Sequence, residues 1–264
     1  MDPLAPIISA LHAEGRLRVW SLVITVFGDM VQHRGGVIST ARLGALLGRV
    51  GVEPGALRTA LSRLGRDGWV SAERQGRTSL YRLTPQGLDS FAPATALIYA
   101  PPRPSPVTRW ALVLRLNGAA PQVGLVPADQ VPPGADCVVA GDLVTLSDAY
   151  RASLLGEDLR AALAALAADL AVLERAALDE PLDAAAARLL LIHRWRRIVL
   201  RHSEPLPELM PKDAPLAWPR AAVARTYLRI APRAEAWLDA PMDDPAPMAA
   251  PDPAPDPALA RRFR

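Results

Sequence analysis

Apolar positions recur at helical spacing through the first third of the chain, and the clearest case lies between Pro54 and Asp67. At about 100° per residue, Leu57, Ala60, Leu61 and Leu64 share one face, while Gly55, Arg58, Thr59, Ser62, Arg63 and Arg66 share the other. Pro54 suits a first helical position and Gly68 suits the end of the helix. Residues 39–48 form a second, shorter amphipathic segment with Leu43, Leu46 and Leu47 inward, joined to the first through Arg49-Val50-Gly51-Val52. Two short helices across a tight loop make a helix-turn-helix pattern. Beyond it, Trp69–Glu73 and Ser79–Leu83 alternate with a period near two, and Arg74-Gln75-Gly76-Arg77-Thr78 reads as a hairpin tip. Helix, turn, helix and basic-tipped hairpin is the element order of a winged helix-turn-helix.

The apolar run 17–30, with Val19, Trp20, Val23, Val26, Phe27 and Met30 at helical spacings, supplies the third helix that such a core needs, and its β-branched residues also allow a strand. The preceding residues 1–15 lead into a helix after a frayed start. Arg34-Gly35-Gly36-Val37-Ile38 reads as a loop and short edge strand before a Ser39 cap. Thr84-Pro85 starts a helix expected to stop near Phe91, because Pro93 and the run Tyr99 to Pro106 oppose helix. Residues 110–116, 122–126, 136–140 and 143–146 are short strand candidates separated by glycine and proline turns. Such a module is too small to be stable alone, so it is expected to pack on its neighbours. From there the pattern turns helical over 158–178, 182–200 and 219–238. The tail from Pro241, with its Pro-Asp-Pro-Ala-Pro-Asp-Pro repetition, reads as extended and unfolded up to its terminal arginines.

Composition sharpens this picture only locally. The 264-residue chain is 50% hydrophobic, enough for a sizeable core, and its formal charge is only +3. Through Ser90, however, 11 arginines stand against 7 acidic residues, so the basic surplus is concentrated in the segment that carries the helix-turn-helix pattern. Cys137 has no partner cysteine and reads as a small buried hydrophobe in its strand. A reducing compartment follows. Residues 1–15 lack the basic start of a signal peptide, and no eighteen-residue uncharged apolar run appears outside the alanine-rich segment, so the cytoplasm is expected.

The candidate chemistry falls into two groups. In the DNA reading, Arg42, Arg58, Thr59, Ser62, Arg63 and Arg66 face a major groove or its phosphates, and Arg74 and Arg77 meet the backbone or a minor groove beside it. The same basic face also fits a solvated surface helix. Downstream, His193, Trp195, Arg196, Arg197 and Arg201 combine cationic and aromatic character suited to an anionic effector. They equally suit ion pairs across a domain or subunit contact. No cofactor is called for: no phosphate-binding glycine loop, nucleophile elbow, close acid pair or metal-ligand spacing is present, so an enzyme is not expected.

Leu22-Val23-Ile24-Thr25-Val26-Phe27-Gly28-Asp29, Arg34-Gly35-Gly36, residues 57–64, Gly68-Trp69 and Tyr81-Arg82-Leu83-Thr84 resemble the opening of the PaaX family of bacterial transcriptional repressors. A second segment, His193, Arg196, Arg197, Leu206-Pro207, Leu209, Pro211 and Trp218, is similar to that family's C-terminal signature, with Trp195 in place of a tyrosine and His202-Ser203 in place of an Asp-Pro. The middle module departs by being short and lacking the family's Gly-Phe-Gly. The resemblance implies repression of phenylacetic acid or related catabolism, with an aryl-coenzyme A thioester such as phenylacetyl-CoA as effector.

The expected fold is α+β: an N-terminal winged helix-turn-helix over 1–92, a proline-rich linker over 93–107, and a small ferredoxin-like or reduced sheet module over 108–150. A C-terminal helical domain over 151–240 and a disordered tail over 241–264 complete it. The expected function is a homodimeric, operator-binding regulator responsive to an acyl-CoA. A nucleic-acid-associated assembly factor, whose C-terminal part only dimerises or recruits a partner, is the alternative.

Overall fold

The computed structural model describes residues 2–15, 17–76, 78–116, 121–202, 206–241, 248–250 and 262–264, with only the backbone of Ala92. They form two compact units, one comprising residues 1–102, 161–204 and 218–264, the other 103–160 and 205–217. The helices expected to form a separate C-terminal domain therefore share a unit with the N-terminal region.

In the first unit, α1 (Ala5–Ala13) precedes α2 (Val19–Val26), which continues into a π-helical turn over Phe27–Val31. Every residue from Ser21 to Val31 is buried, the all-round apolar pattern of a core helix. β1 (Val37–Ser39) leads into α3 (Thr40–Arg49), where the Ser39 hydroxyl accepts the Arg42 N–H and caps the helix. α4 (Pro54–Arg66) buries Leu57, Ala60, Leu61 and Leu64, as its periodicity predicts. It ends at Gly68, whose φ of +75° is open to glycine without strain. The hairpin β2 (Val70–Gln75) and β3 (Thr78–Leu83) follows, and β1 pairs antiparallel with β3 to give the order β1-β3-β2.

α5 (Pro85–Tyr99) does not stop near Phe91 but runs through Pro93. Its last carbonyls explain the difference. Ile98 O accepts the Trp195 indole N–H at 2.9 Å, and Leu97 O and Ala100 O accept from Arg220 at 2.9 and 3.1 Å. Donors that satisfy a helix C-terminus outweigh one missing proline N–H. α7 (Glu157–Arg175), α8 (Pro181–Val199) and α9 (Pro219–Asp239) follow, after α6 (Asp148–Leu154) in the second unit. α8 and α9 pack along their length, the small residues Ala184 to Ala187 being wholly buried.

At the centre of this unit is a buried ionic network. Asp29, on the π turn, is fully withdrawn from water; it accepts from Arg188 Nε at 2.7 Å, Tyr99 Oη at 2.7 Å and Tyr227 Oη at 3.2 Å. Burial alone would raise its carboxyl, but the Arg188 and Arg262 guanidiniums more than offset this and hold it below the usual carboxylate range. Arg188 also meets Glu235, which in turn accepts from Arg34 Nε at 2.9 Å. Burial pushes the Tyr227 hydroxyl up to about 12. Gly28 is required beside Asp29, since a Cβ there would lie 1.7 Å from the Phe91 ring.

The C-terminal end departs from the expected loose tail. Arg262 and Phe263 are buried; Arg262 donates to Tyr227 Oη at 2.8 Å, and Phe263 packs edge-on against Tyr99 with centroids 5.5 Å apart. Arg262, expected in a loose tail, is therefore a core cation. Residues 242–247 and 251–261 lie outside the described residues.

The second unit holds a three-stranded antiparallel sheet, β4 (Trp110–Arg115), β5 (Gln122–Pro127) and β6 (Cys137–Gly141), in the order β5-β4-β6. Residues 143–146 make no strand; Leu143 and Leu146 instead pack against Val107, Trp110 and Leu209. Glu208 accepts the Val107 N–H at 2.7 Å, and Arg151 donates to the Glu208 and Met210 carbonyls, which ties segment 205–217 to this unit. Cys137 is exposed, not buried: it shares with Leu112, Val123 and Val139 a sheet face that is open to solvent.

Removing Arg188 leaves Asp29 charged, buried and short of its main partner, a change that costs about 3–5 kcal/mol. Arg188→Ala is expected to lower the thermal midpoint sharply, or to prevent folding, while Arg233→Ala, at an exposed ion pair, changes it little. Equal midpoints for the two variants in thermal denaturation would contradict the central role of this pair.

Candidate nucleic-acid interface

The exposed face of α4 presents Arg58, Thr59, Ser62, Arg63 and Arg66, the residues expected from its periodicity. Thr59 turns its hydroxyl back to the Gly55 carbonyl at 3.0 Å, and Arg63 meets Asp67 at 3.4 Å in an exposed pair that contributes little stability. At the hairpin tip Arg74 is exposed and donates to Gly76 O at 3.3 Å. Arg77 lies outside the described residues.

Arg42 does not belong to this surface. It is 2% exposed, donates to Trp237 O at 2.7 Å and Ala240 O at 2.6 Å, and stacks over the Trp237 ring at 5.2 Å. Its position on α3 faces α9, whose terminal carbonyls need donors.

The second group is divided as well. Trp195 is fully buried, with its indole N–H committed to Ile98 O and Arg220 stacked on its ring at 5.2 Å, so it lines no slot. His193 is buried against Thr25, its Nδ1 3.1 Å from Oγ1. That hydroxyl lies 2.9 Å from the Ser21 carbonyl and receives Arg196 Nη1 at 2.9 Å. With the single hydroxyl proton donated to Ser21 O, the two lone pairs of Oγ1 accept from Arg196 and from His193 Nδ1–H, which fixes a neutral tautomer. Burial, reinforced by the charges of Arg196 and Arg197, pushes His193 down to about 3. These contacts had no signal in the sequence, because they depend on which helix α8 meets.

His193, Arg196, Arg197 and Arg201 do line an open space. It is a cleft of about 1160 Å³, lined by Ala56, Thr59 and Arg63 of α4 and by residues of the last turn of α8 and the turn after it. Leu17, Arg18, Val19 and Trp20 also line it. Arg197 pairs at 2.7 Å with Glu14, the one carboxylate among the described lining residues. Thr59 and Arg63, expected to read DNA, and the arginines expected to hold an anion thus meet in one place, a proximity that their wide separation in the sequence concealed. Among the described residues, no group of three or more His, Cys, Asp or Glu is placed to hold a metal ion, and no helix is long and apolar enough to cross a membrane.

Residues 18–87, from the start of α2 through the hairpin, match the family model described as PaaX-like protein. Over this segment the chain is similar to PaaX-like proteins. It is 28% identical over 259 residues to the transcriptional repressor PaaX of Escherichia coli (strain K12), a match covering 83% of this chain and 82% of that protein. The solved structure of the uncharacterized protein Rv0674 from Mycobacterium tuberculosis is similar at 17% identity with a TM-score of 0.48, covering 82% of this chain and 97% of that one. The PaaX-like match spans α2, with the buried Asp29, as well as the basic face of α4, so it includes both the core anchor and the candidate reading surface.

An unfolded histidine takes up its proton near pH 6.5, whereas His193 stays neutral down to about 3 when folded. Unfolding between those values is accompanied by proton uptake, so stability falls as pH is lowered through the window. This residue accounts for a loss of about 2 kcal/mol between pH 7 and pH 5. His193→Gln, which keeps a donor for Thr25, is expected to flatten the dependence of the melting midpoint over that range. His33, also lowered by burial, leaves a residual slope; an unchanged slope in the variant would contradict the assignment.

Proposed function

We propose that this protein is a sequence-specific DNA-binding transcriptional repressor that reads its operator with a winged helix-turn-helix. The observation that carries this reading is α4: its apolar face is buried and its Arg58, Thr59, Ser62, Arg63 and Arg66 face is open, beside a hairpin with a basic tip. Arginine reaches guanine O6 and N7 in a major groove, and small hydroxyls serve bases or phosphates. The PaaX-like homology and the name of the Escherichia coli relative support the same reading.

The finer proposal is control of an aromatic or acyl-CoA catabolic operon, phenylacetic acid catabolism being the leading case, with a coenzyme A thioester releasing the repressor. Arg196, Arg197 and Arg201 along the cleft offer charge for phosphates, and Leu17, Val19, Trp20 and Leu200 supply the apolar surface that the buried Trp195 does not. A homodimer pairs two reading helices with two half-sites. The exposed apolar sheet face of Leu112, Val123 and Val139 in the second unit supports pairing of two copies.

Mobility shifts on the upstream region of the protein's own operon are expected to show a specific complex that phenylacetyl-CoA dissolves. Arg58→Ala with Arg63→Ala is expected to weaken specific binding by about 1–3 kcal/mol for each of the two arginines that reads a base, with melting unchanged. Undiminished operator affinity in that double variant would remove α4 as the reading surface. Light scattering is expected to give about twice 28.3 kDa, reduced to a single chain by Val139→Lys; a monomer at every concentration, also on operator, rules the dimer out.

A further inference from the structure

The cleft that bears Arg196, Arg197 and Arg201 is lined by α4 as well. Thr59 and Arg63 line it, and both stand on the exposed face of the helix proposed to enter the major groove. Among the described residues, Arg18, Arg63, Arg196, Arg197 and Arg201 line the opening together with one carboxylate, Glu14, which is held by Arg194 and Arg197.

We infer that this cleft is a phosphate site that the operator backbone and a small phosphate-bearing effector occupy in turn, each excluding the other. The inference rests on the DNA and effector readings above and adds where the two meet. A helix about 10–12 Å across fills a major groove about 12 Å wide, so the bordering phosphates lie along its flanks. On the flank carrying Thr59 and Arg63, the surface facing such a strand is formed by Arg18 and by the last turn of α8. Arg197 and Arg201 thereby become backbone contacts that lie far outside the segment holding the helix-turn-helix.

The same space suits a small ligand. Ligand sites commonly measure about 300–1,000 Å³, and the cleft, at about 1160 Å³, admits a nucleotide-sized molecule. Guanidinium forks match phosphate oxygens in charge and geometry. Leu17, Val19, Trp20 and Leu200 flank the arginines and accept an apolar group. A ligand seated there lies against Thr59 and Arg63, so release of DNA follows from shared space and shared cations, without a second conformation for the ligand to select.

The form of the competition tests this. With full-length protein and labelled operator, the apparent Kd for operator is expected to rise in direct proportion to phenylacetyl-CoA across about a hundredfold range, with no ternary complex. A plateau, the mark of a finite coupling between separate sites, or a ternary band overturns exclusion and leaves the effector reading standing. Calorimetry of the protein alone with phenylacetyl-CoA and with coenzyme A separates the other case: absence of binding to either sinks the effector reading, and this inference with it.

Arg197→Ala with Arg201→Ala is expected to weaken operator and coenzyme A binding together, each about tenfold, and to make the salt dependence of operator binding shallower by about one to two units. Arg63→Ala, on α4 and away from the Glu14 pair, is expected to weaken both ligands too, which keeps the test decisive if the α8 variant melts early. Loss of one ligand with full retention of the other, in both variants, overturns the shared site.

Discussion

A carboxylate with no access to water has to be surrounded by donors, and Asp29 imposes that requirement on the whole first unit. Its partners come from distant parts of the chain: Tyr99 at the end of α5, Arg188 in α8, Tyr227 in α9, and Arg262 near the C-terminus. Each brings an element to the same point. The wide π turn, with a glycine that lets Phe91 approach, places the carboxylate where all four can reach it. A desolvated ion pair of this kind is costly to create and more costly to break, so it acts as a strict condition on how the helices assemble.

The candidate site inherits its geometry from this arrangement. α2 and α8 run past each other in opposite directions, since Thr25 meets His193 and Ser21 meets Arg196. The last turn of α8 is thereby delivered beside the start of α2 and the exposed flank of α4. Arg49, closing α3, meets Asp183 in the first turn of α8 at 2.6 Å and fixes the far end of the same helix. Held at both ends, α8 carries Arg196 and Arg197 in its last turn, and Arg201 follows in the turn after it.

Local pattern was legible in the sequence wherever one element decides a residue's surroundings. The leucine face of α4, the Ser39 cap and the hairpin of β2 and β3 all follow from spacing and turn chemistry. What depends on a partner element was not legible. Arg42 has the composition of a surface residue, but α9 converts it into a buried donor to two carbonyls. Trp195 looked like a recognition group because an aromatic side chain serves binding and packing equally well, and only the position of α5 decides for packing; His193 does both, bonding Thr25 while lining the cleft. Pro93 is a helix breaker by itself and is tolerated because Trp195 and Arg220 satisfy the carbonyls beyond it. Cys137 was misplaced for the opposite reason: its strand has core composition, yet that face of the sheet is uncovered.

The tie between Arg42 and the end of α9 bears on how such a protein can change over time. A reading head that closes its own core can be detached, duplicated or fused to a new sensor. Here the segment up to residue 102 would carry away Asp29, Arg34 and Arg42 without Arg188, Glu235 or the α9 carbonyls that neutralise or receive them. Three buried charges would be stranded at once. The α3–α4 pair is therefore not an exchangeable cassette; it and the helices behind it have to be inherited together.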